Sequence, residues 1–477
     1  MSVTLLSLFS LALPSDAYFP PTTPGDDTWE TVDPADLGWD PVALEQLDSF
    51  LANRNTQGFV ILHAGRIAWE RYYQGWDLHN TRSIFSVTKS ITATQLGRLQ
   101  ADGLLSIEDP VSTYLGLGWT AAAPADELAV TVRDVAEMAS GLDESFVKVA
   151  EPGTTWFYNT PVYRELLDVI ESASGVSRSQ YAEATLWTPL GMHDTSYAPN
   201  NEFMQSSARD LARFGLMIAR GGVWQETDIV RDAEYVTEML TPSQKLNPAY
   251  GLLWWLNGQS SWTLPGGSTG TGSFVPSAPD DLVGALGASE QKVYLVPSLD
   301  LVVVRLGGDV LGPQGQFDID LWEELNAVLG RTSFCDGSDG STASCPCSNP
   351  GLPSSGCDLS QGTGGVSLRL LDRTSSPARR VTWQGAGFPP MSSPTALVIR
   401  SGARAPAPVV FGDGLLCIGP NVVRLSASFA SSGTSLHTHG HGILPGEFHY
   451  QLWYRNTPES FCTPDAFNLS NGRTLTW

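Results

Sequence analysis

Two pairs of apolar β-type runs, far apart in sequence, constrain the fold of this 477-residue chain more than any other feature. Residues 59–63 and 67–73 flank Ala64-Gly65, a hairpin signal, and residues 291–296 and 300–306 flank Pro297-Ser298. Helical apolar spacing opens this stretch at residues 40–53, with Val42, Leu44, Leu47 and Leu51. It recurs at 86–100, 130–138, 161–175 and 207–221, and closes at 317–329. Strands at both ends with helices between them predict one antiparallel sheet packed on helices, an α+β fold with a helical subdomain. Gly103 stops the helix that begins at Ser86. Residues 262–280 cluster Gly, Ser and Pro without periodicity and read as a long exposed loop. His63 reads as a strand residue.

Past residue 332 the character changes. Short β-type runs at 366–371, 396–399, 422–425 and 450–454 alternate with Gly/Pro/Ser turns, which predicts a small β-sandwich. Charge divides at the same place. Residues 1–330 carry 17 Lys and Arg against 42 acids, whereas residues 331–477 carry 10 Arg, no Lys and 8 acids. An acidic body with a total net charge of −23 argues against nucleic acid and against an anionic membrane as partners.

All six cysteines, Cys335, Cys345, Cys347, Cys357, Cys417 and Cys462, fall in this last third. An even count in a Gly/Ser/Pro-rich segment reads as disulfides of an exported protein, with fifteen pairings open. Zinc is the competing reading, although the Cys345-Pro346-Cys347 spacing does not match the usual gap between ligands. His437, His439 and His441 alternate and could hold a metal, but no local carboxylate or cysteine completes a set, so a surface loop is the preferred reading. Asn468-Leu469-Ser470 matches a glycosylation acceptor.

At the amino terminus a short apolar run from Val3 to Leu13 precedes Ser15-Asp16-Ala17, a small-x-small cleavage pattern, although no Lys or Arg precedes Arg54. The run is too short to span a bilayer. The expected organisation is a signal peptide at 1–17, a Pro/Asp/Thr-rich linker at 18–37, the α+β body at 38–330, a Cys/Gly/Ser-rich linker at 331–365 and the β-sandwich at 366–477. Secretion, or export to a periplasm, follows.

Three Ser-x-x-Lys spacings compete for a chemical role: Ser86 to Lys89, Ser145 to Lys148 and Ser289 to Lys292. Positions i and i+3 share one face of a helix but oppose each other on a strand. Ser86 and Lys89 open a helix. Ser145 lies in a charged loop, and Ser289 enters a strand. A serine hydroxyl becomes a nucleophile only when a base takes its proton, and a buried amine with a lowered pKa at a positive helix N-terminus can do so.

The segment Phe85-Ser86-Val87-Thr88-Lys89-Ser90 resembles the nucleophile motif of the β-lactamase-related serine hydrolases. These include class C β-lactamases, penicillin-binding proteins, some esterases and 6-aminohexanoate-dimer hydrolases. Similar landmarks follow in the family's order across residues 38–329: GLLSIEDP at 103–110, VTVRD at 130–134 with MASGL at 138–142, Pro152-Gly153-Thr154 before Tyr158, DLARFG at 210–215 and YGLLWW at 250–255. The resemblance implies a β-lactamase-like fold and an acyl-enzyme on Ser86. It implies Lys89 as general base, Tyr158 sharing acid–base duty, and the backbone N–H groups of Ser86 and Ala288 as the oxyanion hole.

Two positions depart from the pattern. The family's Tyr-x-Asn reads Tyr158-Asn159-Thr160, and its cationic strand position reads Ala285-Leu286-Gly287. Asn159, Thr160, Ala285 and Gly287 are therefore expected in the substrate pocket, without a cation for a substrate carboxylate. The departures, with Trp254-Trp255 and the strand pair from Val293 to Arg305, are most similar to the 6-aminohexanoate-dimer-hydrolase-like branch. The expected substrates are small amides or esters, with no metal or cofactor. A β-lactamase or DD-peptidase is the alternative, and a non-catalytic sensor using the same pocket a second.

Overall fold

The computed structural model describes residues 18–37, 39–198, 203–329, 333–335, 345–346, 348–351, 355–373, 380–389, 394–440, 447–455 and 467–476. The signal-peptide pattern, Cys347, Cys462 and His441 lie outside the described residues. The chain divides into two compact units, residues 1–32 with 50–317, and residues 33–49 with 318–477.

The first unit is built on strands β1 (Thr56–His63), β2 (Arg66–Tyr72), β3 (Trp255–Leu256), β4 (Val283–Gly287), β5 (Gln291–Val296) and β6 (Leu301–Gly307). They form one antiparallel sheet in the order β2-β1-β6-β5-β4-β3. The two sequence-distant hairpins meet at β1 and β6, with Val60 opposite Val304. Every residue of β5 and β6 is buried, so both run as near-continuous apolar segments rather than alternating ones.

The five longest helices are α1 (Pro41–Asn53), α2 (Val87–Ala101), α3 (Thr160–Ser174), α4 (Ala208–Ala219) and α5 (Gln316–Val328). Helix α4 lies against β5 and β6. A Cβ on Gly215 would fall 2.7 Å from Val302 Cγ1 and 3.0 Å from Val293 Cγ1, so glycine is what lets the helix sit that close. Helix α2 is buried on almost every side, from Val87 through Gly97 and again at Leu99. A helix enclosed this way needs no polar stripe.

Three local expectations change. Residues 262–280 hold part of a hairpin, Ser261–Thr263 paired with Thr269–Thr271, rather than an unstructured loop. Side chains fix it from outside: Asn247 bonds Thr263 through both its oxygen and its nitrogen, and Asn257 does the same with Val275. The helix expected over 130–138 is confined to Val132–Ala136, where Thr131 and Asp134 form a capping box. Met138, at φ 60, cannot continue it. The supposed linker at 18–37 is strapped to the first unit through residue 32. Trp29 Nε1 donates to Gly65 O at 2.8 Å, Arg213 to Pro21 O at 2.8 Å and Arg209 to Asp27 O at 2.7 Å.

In the second unit a sheet containing Thr395–Ser401, Val423–Phe429, Glu447–Arg455 and Gly472–Thr476 faces a three-stranded sheet of Ser367–Arg373, Arg380–Ala386 and Thr434–Gly440. Leu368, Trp383, Val398, Tyr450 and Leu452 share one core between the sheets, a β-sandwich. Cys335 pairs with Cys417 and Cys345 with Cys357, so these four are disulfides rather than zinc ligands. The segment read as a linker at 331–365 belongs to the sandwich where it is described. Ser333–Phe334 pairs with Arg473 and Gly472, and Leu359 enters the core.

His437 and His439 sit on a strand, not a loop. His437 is buried between Ser426 O and Ser435 Oγ, and His439 Nε2 accepts from Trp383 Nε1 at 3.2 Å. Asn468 is fully buried, its amide donating to the carbonyls of Cys357 and Asp358, which leaves the glycosylation pattern closed in the folded state.

Candidate active site

Ser86 is the N-cap of α2, in right-handed helical geometry, directly after Phe85 at φ 46. A non-glycine residue held left-handed costs of order 1–3 kcal/mol and persists only where its surroundings over-determine it. Here the chain must turn sharply from the short strand Arg82–Ser83 into the helix. One turn on, Lys89 is buried, and its Nζ donates to Ser86 Oγ at 3.0 Å and to Thr160 Oγ1 at 3.2 Å. The i, i+3 geometry expected from sequence is present.

Burial pushes the Lys89 amine down to about 7, with the Arg164 guanidinium adding to the effect. An ordinary lysine near 10.4 is neutral in about one molecule in a few thousand at neutral pH, whereas this one is neutral in about half. Tyr158 hydrogen-bonds Ser86, and its ring centroid lies 5.1 Å from Lys89 Nζ. Burial pushes the Tyr158 hydroxyl up to about 12, against the pull of the Ser86 hydrogen bond, so it stays protonated. Of the two groups bonded to Ser86, the amine alone gives up its proton near neutral pH.

The end of β4 comes against the turn that holds Ser86. A Cβ on Gly287 would lie 2.4 Å from Ile84 O and 3.3 Å from Ser86 N, closer than a side chain permits. The Ser86 and Ala288 N–H groups donate to no backbone acceptor among the described residues. Gln291, fully buried, holds the turn after Gly287 by donating to the carbonyls of Ala288 at 3.2 Å, Ser289 at 2.8 Å and Gly307 at 2.7 Å.

The other expected pocket residues divide. Thr160, at the start of α3, reaches Lys89 directly. Asn159 does not face an open site: its oxygen caps α3 by accepting Val162 N, and its nitrogen donates to Leu142 O at 2.9 Å. Ala285 is fully buried on the face of β4 that Gly287 shares, so it packs rather than lining a cavity. A cavity of about 220 Å³ does adjoin the Tyr158 segment, lined by Met138, Leu142, Asp143, Val149 and Phe157 among others.

Both rival Ser-x-x-Lys pairs are occupied elsewhere. Lys148 pairs with Asp126 and Glu151, each at 2.7 Å, and Lys292 with Glu290 at 2.8 Å, while Ser289 donates to Asp309. Sequence reasoning did not find Gln291, Tyr163, Arg164 or Phe203, and only Tyr163 carried a signal, as a buried position of α3. Among the described residues no cluster of His, Cys, Asp and Glu could hold a metal, and no helix is long and apolar enough to cross a membrane.

The Beta-lactamase family profile matches residues 47–307. The 6-aminohexanoate-dimer hydrolase of Paenarthrobacter ureafaciens is 22% identical, over 55% of this chain and 75% of that protein. A solved Bacillus anthracis structure assigned as a 6-aminohexanoate-dimer hydrolase superposes with a TM-score of 0.50 at 16% identity, covering 63% of this chain and 88% of its own. One assigned as a beta-lactamase from Bacteroides dorei DSM 17855 gives 0.50 at 15% identity, covering 61% and 99%. These two likenesses concern the fold. With a profile match over more than half of its length, the chain belongs to the Beta-lactamase family of serine hydrolases.

Proposed function

We propose that this chain is an exported serine hydrolase that cleaves small amides or esters through an acyl-enzyme on Ser86. One observation carries the reading: a buried, half-neutral amine sits 3.0 Å from the hydroxyl it would deprotonate. Lys89 takes the Ser86 proton as Oγ attacks the substrate carbonyl carbon. The oxygen becomes an oxyanion held by the Ser86 and Ala288 N–H groups, donors typically worth about 3–4 kcal/mol of barrier each. As the carbon–leaving-group bond breaks, the proton passes from the Lys89 ammonium through Tyr158 to the departing amine or alcohol. Water then attacks the acyl-enzyme with the same groups in reverse roles.

Thr160 replaces the amide of the family pattern as the second partner of Lys89. Ala285 offers no cation for a substrate carboxylate, which disfavours β-lactams and D-Ala-D-Ala peptides. A relative named for hydrolysing a 6-aminohexanoate dimer supports a small substrate. Disulfides Cys335–Cys417 and Cys345–Cys357 support an oxidising compartment.

A fluorophosphonate probe tests the chemistry. The expected result is one covalent adduct on Ser86, absent from Ser86→Ala and slowed at least a hundredfold in Lys89→Met. A folded protein that does not react, or reacts equally after Ser86→Ala, overturns the proposal. Turnover of p-nitrophenyl esters and short amides without nitrocefin hydrolysis separates the amidase/esterase reading from the β-lactamase one.

A further inference from the structure

Among the described residues Lys89 has no anionic partner. Its hydrogen-bond acceptors are two hydroxyls, Ser86 Oγ and Thr160 Oγ1, and the charged group acting on it is Arg164, of its own sign. Yet to serve as a base the amine must become an ammonium inside this buried site, and a charge there needs compensation. Three aromatic rings surround Nζ: Tyr163 with its centroid at 4.5 Å, Tyr158 at 5.1 Å and Phe203 at 5.7 Å. Ring faces attract a cation at these distances, most strongly where water is excluded. Tyr163 is fully buried, and its hydroxyl is engaged with Thr92 Oγ1 at 2.8 Å, so what it offers Lys89 is the ring.

Resting on the reading of Lys89 as the base, we propose that Tyr163 is a positioning residue whose ring face, joined by Phe203, stabilises the ammonium that Lys89 becomes when it takes the Ser86 proton. The cage stands in for a carboxylate. A counter-ion would hold Lys89 permanently charged, whereas a ring supports the charge weakly enough that burial and Arg164 still leave much of the amine neutral. The ionisable groups around it do not compete for the role. Tyr158 and Tyr163 stay protonated because burial pushes their hydroxyls up, as it does those of Tyr197 and Tyr250 beyond them.

The chain contains only four lysines, Lys89, Lys148, Lys245 and Lys292, so Lys89 can be followed directly by NMR of the full chain carrying ¹³Cε-lysine. Removing a face that favours the charged form must lower the Lys89 midpoint. Tyr163→Leu is expected to lower it by about half to one pH unit, and Phe203→Leu by less. Tyr163→Phe, which keeps the ring and loses the hydroxyl, is expected to leave it in place, and Arg164→Met to raise it. The other three lysines serve as controls.

An unmoved or raised midpoint in Tyr163→Leu overturns the inference, as does an equal shift in Tyr163→Phe. If Tyr163→Leu does not fold, Phe203→Leu decides by the same criterion. Fluorophosphonate reaction rates across pH on the same proteins keep the two claims apart. Midpoints that move without any Ser86 adduct leave the cage standing and sink the hydrolase, and labelling with unmoved midpoints does the reverse.

Discussion

Replacing Lys89 by Met should abolish the chemistry and stabilise the fold, and the two effects share one cause. The folded-state midpoint of Lys89 is about 7 against 10.5 in the unfolded chain. Between those values the unfolded state binds the proton more readily, so folding gives up a proton, and stability rises with pH from about 7 to about 10.5. Below 7 both states are protonated, and the penalty stays at its full size. With each pH unit worth about 1.36 kcal/mol, the fold carries a burden of ~4 kcal/mol at pH 7. Methionine fills a similar volume and removes it. Lost with the amine are its bonds to Ser86 and Thr160, about 1 kcal/mol each, and its contacts with three rings.

The net expectation is a Lys89→Met protein more stable than wild type by ~1–3 kcal/mol at pH 7, with the advantage shrinking as pH approaches 10.5. Denaturant unfolding of both proteins in identical buffers from pH 6 to 10 reads this directly. If the variant is less stable at pH 7, or the difference does not narrow with rising pH, then the lysine is not strained by its site and the argument for a half-neutral base collapses.

The remaining predictions concern the same few atoms. Reaction with a fluorophosphonate should rise through a midpoint near 7 and plateau above it, since the neutral amine is the working form; a rate that is flat from pH 5 to 9 would contradict this. Gly287→Ala puts a methyl 2.4 Å from Ile84 O and must push β4 away from Ser86. The expected outcome is a ~100-fold slower reaction with a loss of only about 1–3 kcal/mol in stability, and a wild-type rate would show that Ala288 is not an oxyanion donor. Thr160→Val keeps shape and removes one hydrogen bond to Lys89, so the reaction rate should fall by about fivefold to tenfold. A loss as large as that of Lys89→Met would instead give Thr160 a direct part in proton transfer.

What could be read in the sequence, and what could not, follows from how each feature is encoded. The sheet was legible because β5 and β6 are near-continuous apolar runs and the Ala64-Gly65 turn is local chemistry. The contact between Ser86 and Lys89 was legible because residues three apart lie within one helical turn. The hairpin inside 261–271 was not, because the side chain that fixes it, Asn247, lies 16 residues from its partner Thr263. The strap at 18–32 looked like a linker because Arg209 and Arg213, the side chains that hold its carbonyls, are almost two hundred residues distant.

Asn159 illustrates a different failure. Motif position placed it in the pocket, but an asparagine before a helix is also a good cap, and the backbone N–H of Val162 and the carbonyl of Leu142 claim both ends of its amide. The cage of Lys89 was least visible of all. Tyr158 and Tyr163 flank the start of α3, Phe203 comes from a distant segment, and what these residues turn toward the amine is their rings. In a sequence such rings are indistinguishable from core residues. They acquire a chemical meaning only when the structure places them around a buried amine that has no anion beside it among the described residues.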